Sequence, residues 1–105
     1  MALPPQLTAH ERRAALHKAA EARKVRARFK AEVKSGLRSW TEALDSEHEA
    51  IQRMRLKELL ASLPGFGEIR AQSVIERAGI SPSRKIQGIG SKQRVELIRI
   101  LRGRS

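Results

Sequence analysis

The stretch from Thr8 to Ser35 contains no glycine or proline, and it constrains the fold more than any other part of the chain. Eight of its residues are alanines, and most of the others are Lys, Arg or Glu. These residue types are strong helix formers. Thr8 and Glu11 have the spacing of a capping box, and Gly36 is a suitable helix stop. The sequence therefore predicts one helix over about residues 9–35, roughly 40 Å long at 1.5 Å per residue.

Large apolar side chains are concentrated at one end of this helix. Val25, Phe29 and Val33 are spaced four apart near its C-terminus, whereas the first half offers Leu16 and otherwise mostly alanine. A stripe of this kind packs against a protein core. We therefore expect the C-terminal half of the helix to pack on the rest of the protein and the N-terminal half to project into solvent.

Apolar residues at helical spacing mark four shorter segments, which we expect to be helices over about residues 40–50, 56–62, 68–79 and 92–103. Ser39 and Glu42 form a capping box that opens the first of them. The expected inward residues are Trp40, Ala43, Leu44, Leu56, Leu59, Leu60, Leu63, Ile69, Val74, Ile75, Ala78, Val95, Leu97, Ile98 and Leu101. Strand patterns of useful length are absent, apart from a few extended residues around 51–55.

These elements predict an all-α fold of about five helices around one core, with the long N-terminal helix projecting from a compact head. The expected organisation is a flexible arm over residues 1–7, a long basic helix over residues 8–36 and a helical head over residues 37–105.

The charge of the chain points to a polyanionic partner. Lys and Arg total 22 against 11 acids, so the formal net charge is +11. Basic blocks at residues 10–38 and 51–105 flank an acidic block at residues 39–50, so more than one face is available to nucleic acid. A solvated charged face is the alternative interpretation of the long helix. Candidates for a second contact are Arg12, Arg13, Lys18, Arg23, Arg53, Arg55 and Lys57.

What the sequence lacks disfavours several classes of protein. It has no cysteine, which excludes a disulfide framework and a thiolate metal site. It has no apolar run long enough to span a bilayer, and its first residues do not form a secretory signal. The three histidines match no metal-ligand spacing, and no heptad seam indicates a dimer. We therefore expect a cytoplasmic monomer with no cofactor, no metal and no membrane attachment.

The segment "LPGFGEIRAQSVI", residues 63–75, predicts a tight turn between two helices. Gly65 and Gly67 allow that turn and leave peptide N–H groups exposed where the next helix begins. A helix N-terminus of this kind suits a phosphate, and Arg70 is placed to help. The spacing resembles the helix–hairpin–helix family, which grips nucleic-acid backbone. The alternative is a glycine turn that only lets two helices pack.

The segment "GISPSRKIQGIGSKQ", residues 79–93, contains two successive turns. We expect Ile86 to point into the core and to hold the flanking cations on a fixed loop, and Ser91 to cap the last helix. Fixed cations lose less entropy on meeting a phosphate than mobile ones do. The alternative is a solvated basic loop. The candidate phosphate contacts are Ser83, Arg84, Lys85, Gln87, Gly88, Gly90, Ser91 and Lys92.

Residues 54–102 resemble the helix–two-turn–helix fold, which occurs in a small-subunit ribosomal protein and in some DNA-repair glycosylases. The opening "MALPPQLTAHERRAALHKAAEAR", with "LKELLASLPGFGEIRAQSVIERAGI" and "SRKIQGIGSKQR", resembles the actinobacterial integration host factor family in order and spacing. The resemblance covers nearly the whole chain.

The resemblance implies a nucleoid-associated protein that binds double-stranded DNA with little sequence preference. It also implies an effect on DNA shape or topology and assistance to phage integration, with a phage integrase as a partner on DNA. The basic loop of that family usually reads Ser-Arg-Arg, an apolar residue, then Arg-Gly-Leu-Gly. Here Lys85 replaces one arginine and keeps its charge, whereas Gln87 replaces another and loses it. We expect weaker binding through this loop as a result.

Two other functions are weighed against DNA binding. An RNA-binding or ribosome-associated protein would use the same phosphate contacts, although the long N-terminal helix favours DNA. An enzyme such as a glycosylase needs a positioned nucleophile or acid. Position 2 lacks the proline that some glycosylases use, and the four acids beyond residue 50 look like surface helix residues. We therefore expect no enzymatic activity and no catalytic residues.

Overall fold

The structure, a computed structural model, describes residues 8–102. This part of the chain contains five α-helices: α1 Ala9–Lys34, α2 Glu49–Gln52, α3 Leu56–Ala61, α4 Glu68–Arg77 and α5 Ser91–Ile100. Two short 3₁₀ turns, Trp40–Ala43 and Ile86–Gly88, lie between them. The described residues form no strand, so the all-α class is confirmed. Expectations for residues 1–7 and 103–105 lie outside the described part.

Local signals set both ends of α1 as predicted. The Thr8 hydroxyl accepts a hydrogen bond from the Glu11 N–H at 3.0 Å. At the other end Gly36 adopts a positive φ of 82°, and its N–H donates to the Val33 carbonyl. Glycine is favoured in this left-handed conformation because it has no Cβ. The helix therefore ends where the predicted stop lies.

Only the C-terminal half of α1 is anchored in the core. Phe29 and Val33 are buried, and Val25 is half-buried against the same cluster. Residues 8–19 are all exposed, and Leu16 is among them. The prediction that the first half projects from the head is confirmed.

The predicted helix over residues 40–50 is wrong. The capping box at Ser39 forms, but it opens only the 3₁₀ turn Trp40–Ala43. The chain then bends, and the Ser46 hydroxyl accepts a hydrogen bond from the His48 N–H at 3.1 Å. Such local side-chain bonds compete with helical ones. The Gln52 side chain also donates to the Ser46 carbonyl, which stabilises the bend.

One apolar cluster holds the head together. Trp40 and Ile86 are buried in it, as expected from the sequence. Leucines of α3 pack against α4 and supply much of the volume of this cluster. The fully or nearly fully buried members from this region are Leu56, Leu59, Leu60, Leu63, Ala71, Val74, Ile75 and Ala78.

Three predicted inward residues are exposed instead. Ile69 is 87% exposed, because a helical step of 100° per residue places it about 200° around the axis from the buried Ala71. Val95 and Ile98 are exposed because α5 buries only the narrow side that carries Leu97 and, just beyond its end, Leu101. The apolar character of these residues was visible in the sequence, but the width of the buried side was not.

Candidate nucleic-acid interface

The turn between α3 and α4, here called the first corner (residues 63–68), depends on one glycine for its shape. Gly65 has a positive φ of 76°, which glycine adopts without strain. Gly67 is extended, and a Cβ there would meet nothing within 4 Å. The prediction that the turn needs both glycines holds only for Gly65. At Gly67 the small residue leaves the main chain open to approach from outside.

The first corner exposes free donors at the start of α4. The N–H groups of Glu68, Ile69 and Arg70 have no acceptor among the described residues, and Gly67 provides no side-chain cap. Such donors favour an anion. The Arg70 guanidinium folds back and donates to the Gly65 carbonyl at 3.3 Å, so it lies at the same corner, and no acid of residues 8–102 compensates its charge. The Glu68 carboxylate opposes an incoming anion here.

The segment between α4 and α5, here called the second corner (residues 83–92), is tied to the head by its main chain. The Leu56 N–H donates to the Arg84 carbonyl at 3.0 Å, and the Ile86 N–H donates to the Met54 carbonyl at 2.9 Å. The Ile86 side chain is buried. The prediction of an inward isoleucine is confirmed, and the loop is attached on both sides of Lys85.

Arg84 is further positioned by its own loop. Its Nη1 donates to the Gly88 carbonyl at 2.8 Å, whereas Lys85 and Lys92 are exposed and have no ion-pair partner among the described residues. Gln87 is also exposed. Because a carbonyl does not cancel the guanidinium charge, all three cations remain available to an anion.

The predicted cap at Ser91 is wrong by one position. Gly90 occupies the N-cap of α5, and its N–H donates to Gln93 Oε1 at 3.1 Å. Ser91 is the first helical residue and its hydroxyl is not engaged in capping. The glutamine three residues after the cap replaces the serine hydroxyl in satisfying this end of the helix. Ser83, the other serine of the set, is exposed at the start of the corner.

A groove on the head is lined by one residue from each corner, although these residues lie far apart in the sequence. Glu68 from the first corner and Ser83 from the second both line it, together with the end of α1 and the start of α3. The basic residues lining this groove are Lys30, Lys34, Arg55 and Lys57. Lys30 and Lys34 were not among the predicted contacts, because their proximity to Ser83 arises only from the tertiary fold.

The groove also contains acids, which limits its net charge. Glu58 forms an ion pair with Lys30, with 2.6 Å between Oε1 and Nζ. Glu68 also lines the groove and has no ion-pair partner among the described residues. Arg55, Lys57 and Lys34 have no acid partner in the described part of the chain. The groove therefore remains positive by two charges, from four cations and two carboxylates.

The candidates for a second contact separate into two groups. Lys18 and Arg53 both pair with Glu49, at 4.0 Å and 2.9 Å. The remaining candidates have no acid partner among residues 8–102. Arg12 and Arg13 are exposed on the projecting half of α1, and Arg23 is exposed just after it. Arg55 and Lys57 line the groove.

The acidic block neutralises cations away from the groove. Glu42 pairs with Arg38, and Asp45 pairs with Arg94 at 2.6 Å. Exposed pairs of this kind contribute little to stability. They do, however, reduce the positive charge on the sides of the head that they cover.

A separate local pair lies on α5. Arg99 donates two hydrogen bonds to Glu96, and these bonds lower the pKa of the Glu96 carboxyl and raise the pKa of the Arg99 guanidinium. Both groups are exposed, so this pair shapes the local charge without contributing to the groove.

Other kinds of site are not evident in residues 8–102. This part of the chain brings together no group of three or more His, Asp or Glu side chains suited to a metal ion. None of the helices within it has the length and apolar character needed to cross a bilayer.

Comparison with known proteins shows clear similarity to several of them. Residues 33–100 match the S13-like H2TH (helix–two-turn–helix) domain family. The chain is 46% identical over 101 residues to the integration host factor of Streptomyces coelicolor, and the aligned region covers 94% of each protein. It is 42% identical over 100 residues to the integration host factor of Mycobacterium tuberculosis, covering 93% of this chain and 94% of that protein.

A solved structure shares the fold as well as the sequence. It is described as sIHF bound to an 8-base-pair palindromic DNA, and it superposes with a TM-score of 0.77 at 42% identity. The superposition covers 80% of this chain and 97% of that one.

Proposed function

The chain belongs to the actinobacterial integration host factor family, and on this premise we propose that it is a nucleoid-associated protein that binds double-stranded DNA through the sugar–phosphate backbone. The relative of known structure has DNA bound. We extend that property to this chain because groups suited to phosphate are exposed at both corners and along the groove.

The observation that carries the proposal is the exposure of phosphate-binding groups at both corners, each of which contributes one residue to the basic groove. Free N–H groups at the start of α4 and uncompensated cations at Arg70, Arg84 and Lys85 supply donors for phosphate oxygens. The second corner is attached to the head through main-chain bonds and through Ile86, so little motion is lost on binding. Lys92 adds a further exposed cation.

The same groups argue for little sequence preference. Amides, lysines and arginines on short, fixed turns contact phosphates, which carry no sequence information. Base readout would need an element inserted into a groove of the duplex, with side chains reaching base edges. The proposed contacts are therefore positioning contacts, and the role is binding rather than catalysis.

The projecting half of α1 gives the protein a means of shaping DNA. Arg12, Arg13 and Arg23 are exposed there without an acid partner among the described residues. We propose that they contact a second duplex, or the same duplex after a bend. An effect on topology, and assistance to a phage integrase acting on the same DNA, follow as the proposed biological roles.

Salt-dependent binding to a short random-sequence duplex tests the proposal. If about five phosphates are engaged, the slope of log affinity against log salt concentration is roughly −4.5. A slope near zero contradicts binding through phosphates. A second isotherm on supercoiled DNA tests the topological role, which requires tighter binding to the supercoiled form than to the relaxed form.

Competition between duplex DNA and structured RNA separates the two polyanions. The phosphate contacts serve both acids, so charge alone does not choose between them. We expect duplex DNA to displace structured RNA at one fixed salt concentration. Preferential retention of RNA supports an RNA-binding function instead.

A further inference from the structure

An isolated bridge between the second corner and the start of α3 places two cations opposite each other. Arg55 and Lys85 are antiparallel partners, and the hydrogen bonds flanking them join Leu56 to Arg84 and Ile86 to Met54. This is the arrangement of a non-hydrogen-bonded pair, in which the Cα atoms are about 4.5 Å apart. The two side chains therefore leave the backbone side by side.

Like charges in this position repel each other. Directly opposed charges of the same sign destabilise a strand pair. Both side chains are exposed, and neither has an acid partner among residues 8–102. Nearby cations elsewhere do find carboxylates, as Arg53 does with Glu49 at 2.9 Å. The bridge thus holds two positive charges together without a counterion from the described residues.

We propose that Arg55 and Lys85 form a clamp that holds one phosphate of the DNA backbone between them; this rests on the proposed function. The clamp joins Arg55, which the sequence suggested for a separate contact, to the site of the second corner. Arg55 also lines the groove with Lys57 and Lys34. A phosphate held at the bridge is therefore followed by further cations along the groove.

The proposal makes affinity and stability change in opposite directions. Arg55→Gln leaves the clamped phosphate to Lys85 alone, so it weakens DNA affinity and makes the salt slope shallower by at most about 0.9. The same change relieves the repulsion in the free protein, so the melting temperature without DNA rises by about 2 °C at low salt. The rise diminishes at high salt, because screening already weakens the repulsion. Arg55→Lys restores the slope.

Arg53→Gln is the matched control. Arg53 is exposed and lies two positions before Arg55, and its replacement removes the same charge. Unlike Arg55, it is paired with Glu49. We expect a much smaller change in the slope and no rise in melting temperature. Equal effects of the two glutamine variants on DNA binding overturn the clamp, since they indicate a general loss of charge.

The outcomes separate the clamp from the proposed function. If the wild-type protein binds DNA with the expected slope and Arg55→Gln leaves both affinity and slope unchanged, the clamp is wrong and DNA binding stands. A lower melting temperature for Arg55→Gln also overturns the clamp, because the opposed charges would not be repelling each other. A wild-type slope near zero rejects the proposed function itself.

Discussion

Arg84 lies directly against Gly88, where a larger residue would collide with it. A Cβ built on residue 88 would be 2.8 Å from Arg84 Cδ, which is closer than real Cβ contacts allow. The guanidinium continues past this point to donate to the Gly88 carbonyl. The glycine is therefore required here by the path of the arginine side chain rather than by a left-handed backbone.

Gly88→Ala should consequently displace Arg84 while leaving the head folded. We expect DNA affinity to fall about five-fold, which corresponds to one hydrogen bond of about 1 kcal/mol. A binding isotherm measures the loss, and thermal unfolding checks the fold. Because the effect acts through Arg84, Gly88→Ala should have no additional effect on affinity in an Arg84→Ala background. Additive losses in the double variant would contradict this path.

Replacing both leading cations of the second corner should weaken binding to all duplexes alike. The variant Arg84→Ala with Lys85→Ala loses up to two phosphate contacts, so the salt slope becomes shallower by up to roughly 1.8. Isotherms on several unrelated sequences measure the change. A loss confined to one sequence would point to base contacts, and an unchanged slope would move the site away from this corner.

Gly67→Ser should separate folding from binding at the first corner. Serine is a preferred N-cap residue, and the space around position 67 is open, so stability should stay the same or rise by a few tenths of a kcal/mol. The hydroxyl would occupy the approach to the α4 amides and bond to one of them. We expect DNA affinity to fall about five-fold, as for one lost hydrogen bond. Unchanged affinity would show that DNA does not approach this amide corner.

Glu68→Gln should strengthen DNA binding, because the carboxylate stands beside the amides proposed to meet phosphate. The same carboxylate favours the positive end of α4, so its removal should lower the free energy of unfolding by about 0.5 kcal/mol. Binding at low salt and thermal unfolding measure the two effects.

Glu76→Gln provides the comparison for this variant. It removes an equal charge from the other end of α4, where the carboxylate accepts a hydrogen bond from Gln72. We expect a smaller gain in affinity than for Glu68→Gln. Equal gains would mean that total charge, and not the position of Glu68, sets the affinity.

The long helix was predictable because its signals are local. The cap at Thr8, the run of alanines and the stop at Gly36 act within a few residues of each other. The helix predicted after Trp40 was wrong for the opposite reason, because the signals that end it are not all local. Its bend is stabilised by side-chain bonds at Ser46 and from Gln52, and equally polar residues at those positions are compatible with a helix in the sequence alone.

The candidate site was predictable in its loops but not in its assembly. Glycine spacing indicated both corners, and the apolar pattern indicated that Ile86 is buried. The pairing of Arg55 with Lys85 joins residues thirty positions apart, and Lys34 reaches the same groove from α1. No periodicity in the sequence reports such neighbours. The position of Glu68 among the cations was also visible only in the structure.

The carboxylates at Glu42, Asp45 and Glu49 engage basic side chains on other sides of the head, whereas the groove keeps its surplus of positive charge. The positive charge of the free protein is therefore distributed unevenly over its surface. In the field of a polyanion such a body experiences a torque as well as an attraction. It should turn its groove toward the duplex while still several ångströms away, so that most encounters begin in a productive orientation.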